Sequence, residues 1–528
     1  MKKIKLPLLL CVLLISTTVF AQLSSKQVDS VMQYAMGKFK VAGVAVAIVK
    51  DGKTIHEKGY GVRSITTKLP VNEHTNFQIA SNSKAFTTAA LSILIDEGKL
   101  NWKDKVRTYL SEFKMYNDYV TENFLVEDLL CHRSGLGLGA GDLMDFPDGA
   151  DFTLKDKLSF FQYFKPQSSF RTQFDYDNQL YVLAGELIAR VSGMTWEKFI
   201  QTRILDPLQM TNSFSAYEAV KDKGNLATPH STETGNIRTI SASIDQINGA
   251  AGGIVSNVDD ISKWMITQIN KGKYGDNLKK QLFSEARQKE MWAIHTVTDV
   301  NPFPRYNQHF GGYGLGWGLA DIKGNLRVSH TGGLPGMLTS VTIIPDLKLG
   351  IVILTNTADD GGALFESVNN TLIDSYLGLN DFGWIDKYGK YMQSRNNSAD
   401  SVVTRVWQTV ASAKNTKIST EDYTGIYEDK WFGKIEVFLK ENQLWFRAFR
   451  SPKLNGPMSF YKANTFAIKW EYQDMNCDAF AMFSLDENGK AQSIKMKGIS
   501  PNIDFSFDFQ DLDLQRKQKP AANGIIRL

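Results

Sequence analysis

At 528 residues, with 43% hydrophobic and 22% charged side chains, the chain is long enough for several domains and has a globular rather than a disordered or fibrous composition. Its formal charge of +4 is near balance over that length, and it contains no long Lys/Arg run. Both facts exclude the electrostatic footprint of a nucleic-acid-binding protein.

The first 21 residues read as a signal peptide. Lys2, Lys3 and Lys5 precede an apolar run over residues 6–19, and Val19-Phe20-Ala21 ends in the small residue that cleavage requires. The run is short for a span of roughly 20 residues. The mature chain is therefore expected to start near Gln22, to keep no stable membrane span, and to be periplasmic or secreted. Cys11 follows three leucines rather than a small residue, so lipidation is not expected. The two remaining cysteines, Cys131 and Cys477, are expected to be buried thiols, neither a disulfide framework nor a metal site.

Residues 22–39 have the pattern of an amphipathic helix. Residues 41–49 form an apolar run of strand length, Asp51-Gly52 is a hairpin turn, and residues 53–62 return as a second strand. Next, Phe77-Gln-Ile-Ala-Ser81-Asn-Ser-Lys84 reads as a loop entering an apolar helix, with Phe86, Ala89, Ala90, Ile93 and Leu94 at helical spacing and Gly98 at the end. Positions i and i+3 share a helix face, so the Ser81 hydroxyl and the Lys84 amine can meet. A hydroxyl needs a neighbouring base to become nucleophilic, and a lysine can serve if burial lowers its pKa. Ser-x-x-Lys also occurs at Ser111/Lys114 and Ser459/Lys462; only at Ser81 does it open a buried helix, where a first-turn lysine opposes the macrodipole.

From Leu100 to about Gln308 the pattern is helical with long loops. His132-Arg-Ser-Gly135 reads as a helix stop rather than as a catalytic base, and the run from Gly135 to Gly141 as loop. Tyr176-Asp177-Asn178 opens another helix. A phenol beside a lysine ammonium ionises more easily and could relay protons, while Asn178 could hold a substrate amide or simply cap the helix. Strands return from Tyr313, and His330-Thr331-Gly332-Gly333 closes one of them. There His330 could bind a substrate carboxylate and titrate near 6.5. A glycine lets a substrate backbone lie close, and the N–H groups of Ser81 and Gly333 could form an oxyanion hole; an ordinary glycine turn is the other reading. A closing helix follows over residues 365–376.

In this order, Ser81-x-x-Lys84, Tyr176-x-Asn178 and His330-Thr-Gly-Gly333 resemble the serine β-lactamase and penicillin-binding-protein superfamily. The branch most similar holds class C β-lactamases, DD-peptidases, D-aminopeptidases and related esterases. Leu129-Leu-Cys-His-Arg-Ser-Gly-Leu136, Asp206-Pro-Leu-Gln-Met210 and Ala251-Gly-Gly-Ile-Val-Ser256 fit the same branch. The resemblance spans residues 26–377. It implies that Ser81 is acylated, that Lys84 and Tyr176 share acid–base duty, that Asn178, His330, Thr331 and Gly332 bind substrate, and that Ser81 and Gly333 supply the oxyanion hole. His330 stands where the branch's β-lactamases usually carry lysine, which favours the peptidase and aminopeptidase members. Asp177 stands where serine is common in relatives, and could repel a substrate carboxylate or attract an amine.

The expected fold is α+β: an antiparallel sheet flanked by helices, with an inserted all-helical domain in the β-lactamase/transpeptidase manner, and a small C-terminal antiparallel β domain. The segments are a signal peptide (1–21), a hydrolase domain (22–380), a partly helical linker (381–418) and an accessory β domain (419–528). The expected activity is that of an exported serine hydrolase. It would cleave amide or ester bonds in small or D-residue-containing peptides, or in simple esters, through an acyl-enzyme on Ser81. No metal or cofactor is implied. The expected partner is a small-molecule or peptide substrate, with no nucleic acid; the sequence does not set the oligomeric state. The alternatives are a class C-like β-lactamase and a non-catalytic penicillin-binding or cell-wall peptide sensor.

Overall fold

The computed structural model describes residues 22–517 apart from 234, 245–247, 301–303 and 359. The expected signal peptide lies outside the described residues.

An eight-stranded antiparallel sheet organises the hydrolase domain. In chain order its strands are β1 (Gly43–Lys50), β2 (Lys53–Gly61), β3 (Thr296–Val297), β4 (Gly311–Tyr313), β5 (Gly318–Ile322), β6 (Asn325–Leu334), β7 (Met337–Ile344) and β8 (Leu349–Thr355), arranged 2-1-8-7-6-5-4-3. β1 reads as an unbroken apolar run because both faces of the sheet are covered. Val44, Val46 and Ile48 point to one side, where helix α1 (Ser25–Lys38) brings Val28 and Met32. Ala45, Ala47 and Val49 point to the other, into the core shared with helix α2 (Ser83–Asp96). α2 is buried on every side, and Phe86 stacks on Trp264 with centroids 4.1 Å apart.

The helices between β2 and β3 form the insertion. Within it, helix α3 (Gln179–Ser192) crosses α2, and helix α4 (Val258–Ile269) supplies Trp264. After β8, helix α5 (Asp360–Tyr376) covers the α1 face with Leu364, Val368 and Leu372. Residues 384–412, expected to be partly helical, form one long helix, α6 (Trp384–Ser412). Its Val406 and Val403 pack on Ala467 and Phe480 of the C-terminal unit. That unit is a closed antiparallel barrel of eight strands between Gly425 and Arg516. Closure leaves no free sheet edge.

Candidate active site

Ser81 sits in a single 3₁₀ turn, Ala80–Asn82, directly ahead of α2. Ala80 is held at φ +49, a left-handed conformation that costs a non-glycine residue about 1 kcal/mol. The turn is fixed from β6. A Cβ on Gly332 would fall 2.2 Å from the Ile79 carbonyl oxygen and 3.0 Å from the Ala80 side chain. Gly332 is therefore required by the approach of the serine turn itself. The expectation that this glycine makes room for substrate backbone is corrected to that extent.

Lys84 is fully buried, with three acceptors around its Nζ: Ser81 Oγ at 3.0 Å, Asn178 Oδ1 at 2.6 Å and the Ala251 carbonyl at 3.0 Å. Burial draws its pKa down to about 7, while the charges of Asp142 and Asp177 act in the opposite sense. A neutral Lys84 amine keeps two N–H donors for the Asn178 and Ala251 oxygens, which leaves its lone pair facing Ser81 Oγ. The Lys84 Nζ lies 4.9 Å from the Tyr176 ring centroid and 5.2 Å from that of Tyr181.

Tyr176 faces Ser81, but burial raises its pKa above the ordinary phenol value in spite of a hydrogen bond with Ser81. The expectation of an easily ionised phenol is thus reversed: desolvation outweighs the neighbouring cation. Beneath Tyr176 lies His132, ring centroids 4.2 Å apart, its Nδ1 accepting from the Asp177 N–H at 3.1 Å. His132 is completely buried and its pKa is pushed well down by burial. It is the neutral floor under Tyr176 rather than the mere helix stop expected.

Asp177 does not face substrate. It is completely buried, and its Oδ1 accepts from the N–H groups of Gln179 (2.8 Å) and Leu180 (3.3 Å), which caps α3. The cap is therefore Asp177, and Asn178 is free to turn inward. The Asn178 Nδ2 donates to Asp142 at 2.7 Å while its Oδ1 accepts from Lys84. Asp142 thereby fixes which end of the amide faces the lysine. Burial raises the pKa of Asp142 to about 7, and the charge of Asp145 adds to the effect.

His330 is buried in β6 with both nitrogens engaged. Nδ1 lies 2.6 Å from the Thr331 carbonyl, so it carries the proton, and Nε2 accepts from the Tyr313 hydroxyl at 2.8 Å. Burial and the nearby Lys84 charge push its pKa to about 3. The expectation of a titrating, carboxylate-binding imidazole is corrected: His330 is neutral across the physiological range. β5 pairs with β6 only as far as Ser329, whereas β7 pairs through Leu334. Residues 330–334 therefore have a strand on one side only. Ser81, Tyr176, Asn178, His330, Thr331, Gly332 and Gly333 all line one cavity of about 420 Å³. Asp142, His132 and Tyr313 are parts of the site that sequence reading missed. Asp142 follows directly on the glycine run, and Tyr313 lies in a Gly-Tyr-Gly string with no distinguishing spacing.

A buried lysine on a helix-entry serine, set between a sheet and a helical insertion, defines a serine hydrolase of the acyl-transfer type. The β-lactamase family model matches residues 28–371, and the chain belongs to that family. A second model, a domain of unknown function (DUF3471), matches residues 411–516, the barrel. The chain is similar to the unguisins hydrolase ungD' of Aspergillus campestris, 25% identical over 427 residues that cover 78% of this chain and 77% of that protein. It is also similar to protein flp of Staphylococcus aureus strain MW2, 26% identical over 367 residues, 66% of this chain and 67% of that one. Among solved structures, a penicillin-binding protein homologue from Pyrococcus abyssi superposes with a TM-score of 0.58 at 22% identity, covering 93% of this chain and 100% of that chain.

Proposed function

We propose that the mature chain is exported and hydrolyses amide or ester bonds of small peptides, including those with D-residues, or of simple esters. The observation that carries this reading is the fully buried Lys84 amine 3.0 Å from Ser81 Oγ, with its pKa drawn towards neutrality. Neutral Lys84 takes the Ser81 proton as Oγ attacks the substrate carbonyl. Tyr176, protonated and facing Ser81, passes its proton to the leaving nitrogen or oxygen and is reprotonated by the Lys84 ammonium, so that no buried phenolate persists. Water then repeats the sequence on the acyl-enzyme, with the roles reversed. Asn178 and the open edge at 330–334 hold the substrate, and the Ser81 and Gly333 N–H groups receive the oxyanion.

A β-lactamase is the second reading, supported by family membership. The neutral His330 weighs against it, because the part of β6 that lines the cavity, 330–334, offers a β-lactam's carboxylate no cation. The relative named as an unguisins hydrolase supports hydrolysis over a silent sensor. The test is Ser81→Ala. Turnover of an activated ester and of D-alanyl peptides should vanish while thermal unfolding stays unchanged. Turnover near wild type would remove the mechanism.

A further inference from the structure

The cavity is not closed by the hydrolase domain alone. Asn502, Asp504, Phe505 and Ser506 of the barrel form part of its wall. Phe505 meets the Tyr176 ring edge-on, centroids 5.7 Å apart. It also lies over Gly139, where a Cβ would fall 2.7 Å from the Phe505 carbonyl oxygen and 2.9 Å from its ring. The Gly139 N–H in turn donates to the Tyr176 carbonyl at 2.8 Å. Three residues after Phe505, the barrel's Asp508 accepts from the N–H groups of Gly141 and Leu143, both at 2.8 Å, one on each carboxylate oxygen. These two N–H groups flank Asp142. The Ser506 hydroxyl donates to Asp142 Oδ2 at 3.1 Å, the same oxygen that accepts from Asn178.

We propose that Ser506 and Asp508 of the barrel are positioning residues of the active site, acting through Asp142 on Asn178 and Lys84. This rests on the reading of Ser81 as nucleophile and Lys84 as base. Asp508 sets the backbone of the loop that carries Asp142, and Ser506 sets the carboxylate. Asp142 then orients the Asn178 amide, and the amide oxygen fixes the lysine 2.6 Å away. The groups facing Asp142 are Lys84 from α2, Tyr176, Asp177, Asn178 and Gln179 around the start of α3, Asp145 with its partner Lys157 from the insertion, and Ser506 and Asp508 from the barrel.

The sign of the effect follows from the chemistry. The Ser506 hydroxyl favours the Asp142 anion, and that anion favours the Lys84 ammonium. In Ser506→Ala the lysine therefore sheds its proton at lower pH. The test is the pH profile of Ser81 acylation by an activated ester, followed by intact mass on the full mature chain. In Ser506→Ala the acidic limb should move down by about half a pH unit, and Ser506→Thr should restore it. Asp508→Ala should slow acylation about tenfold or more with a smaller change in KM, while Glu487→Gln on a distant barrel turn leaves both alone. A Ser506→Ala chain with the wild-type limb and rate overturns this inference, even if Asp508→Ala fails to fold. A wild-type chain that never labels at Ser81 overturns the nucleophile assignment as well, so the two failures are distinct.

Discussion

At the scale of single residues, the site works by desolvation. Lys84, Asp142, Asp177 and His330 are all buried, and in each the charged form is the one penalised. The acidic limb of kcat/KM is therefore expected near pH 7 and belongs to Lys84: below it the amine is protonated and cannot take the Ser81 proton. His330→Gln should leave that limb where it is, because the imidazole does not titrate there; a limb that moves with this substitution would reassign it. Lys84→Met should lower kcat by about a thousandfold or more, because no base remains beside the Ser81 hydroxyl. Asp177→Ala should cost about 1 kcal/mol of stability through loss of the α3 cap, without changing any preference for substrate charge.

At the scale of elements, the serine turn is held by contact rather than by its own preference. Gly332→Ala would drive a methyl group into the Ile79 carbonyl. The expected outcome is a fall of about a hundredfold in acylation rate with the fold intact by circular dichroism, because a misplacement of about 1 Å at the nucleophile is enough for that loss. What was legible in the sequence follows local rules. α2 showed through its apolar spacing, the hairpin through Asp51-Gly52, and the three motifs through chain order. What was not legible depends on contacts distant in sequence. Asp142 reaches Asn178 across 36 residues, and nothing in the glycine run announces it. The opposite sense of the Tyr176 and His330 shifts was hidden as well. Sequence supplies a residue's ordinary pKa, but burial sets the actual one.

At the scale of the molecule, the barrel and hydrolase domain form one continuous core, and the barrel reaches the cavity. A link spanning 367 positions, Asp508 to Gly141, has no local signature, which is why the sequence leaves open whether the accessory domain shapes the cleft or mediates binding. Helix α6 bridges the two units, with Arg395 Nε donating to Asn502 Oδ1 at 3.0 Å. A proline at exposed Ser398 in mid-helix costs about 3 kcal/mol or more. Ser398→Pro should therefore lower the thermal midpoint, with activity and secondary structure lost together because the two units share one core; activity that outlasts unfolding of the barrel would mean that the barrel does not support the site. The claim on which everything else depends is the acyl-enzyme on Ser81. The most direct measurement is time-resolved intact-mass spectrometry of the mature chain with an activated ester, followed by peptide mapping. The expected result is a transient adduct of one acyl group on Ser81, present in wild type and absent from Ser81→Ala. Product formed with no adduct at any time, or an adduct on another residue, would contradict it.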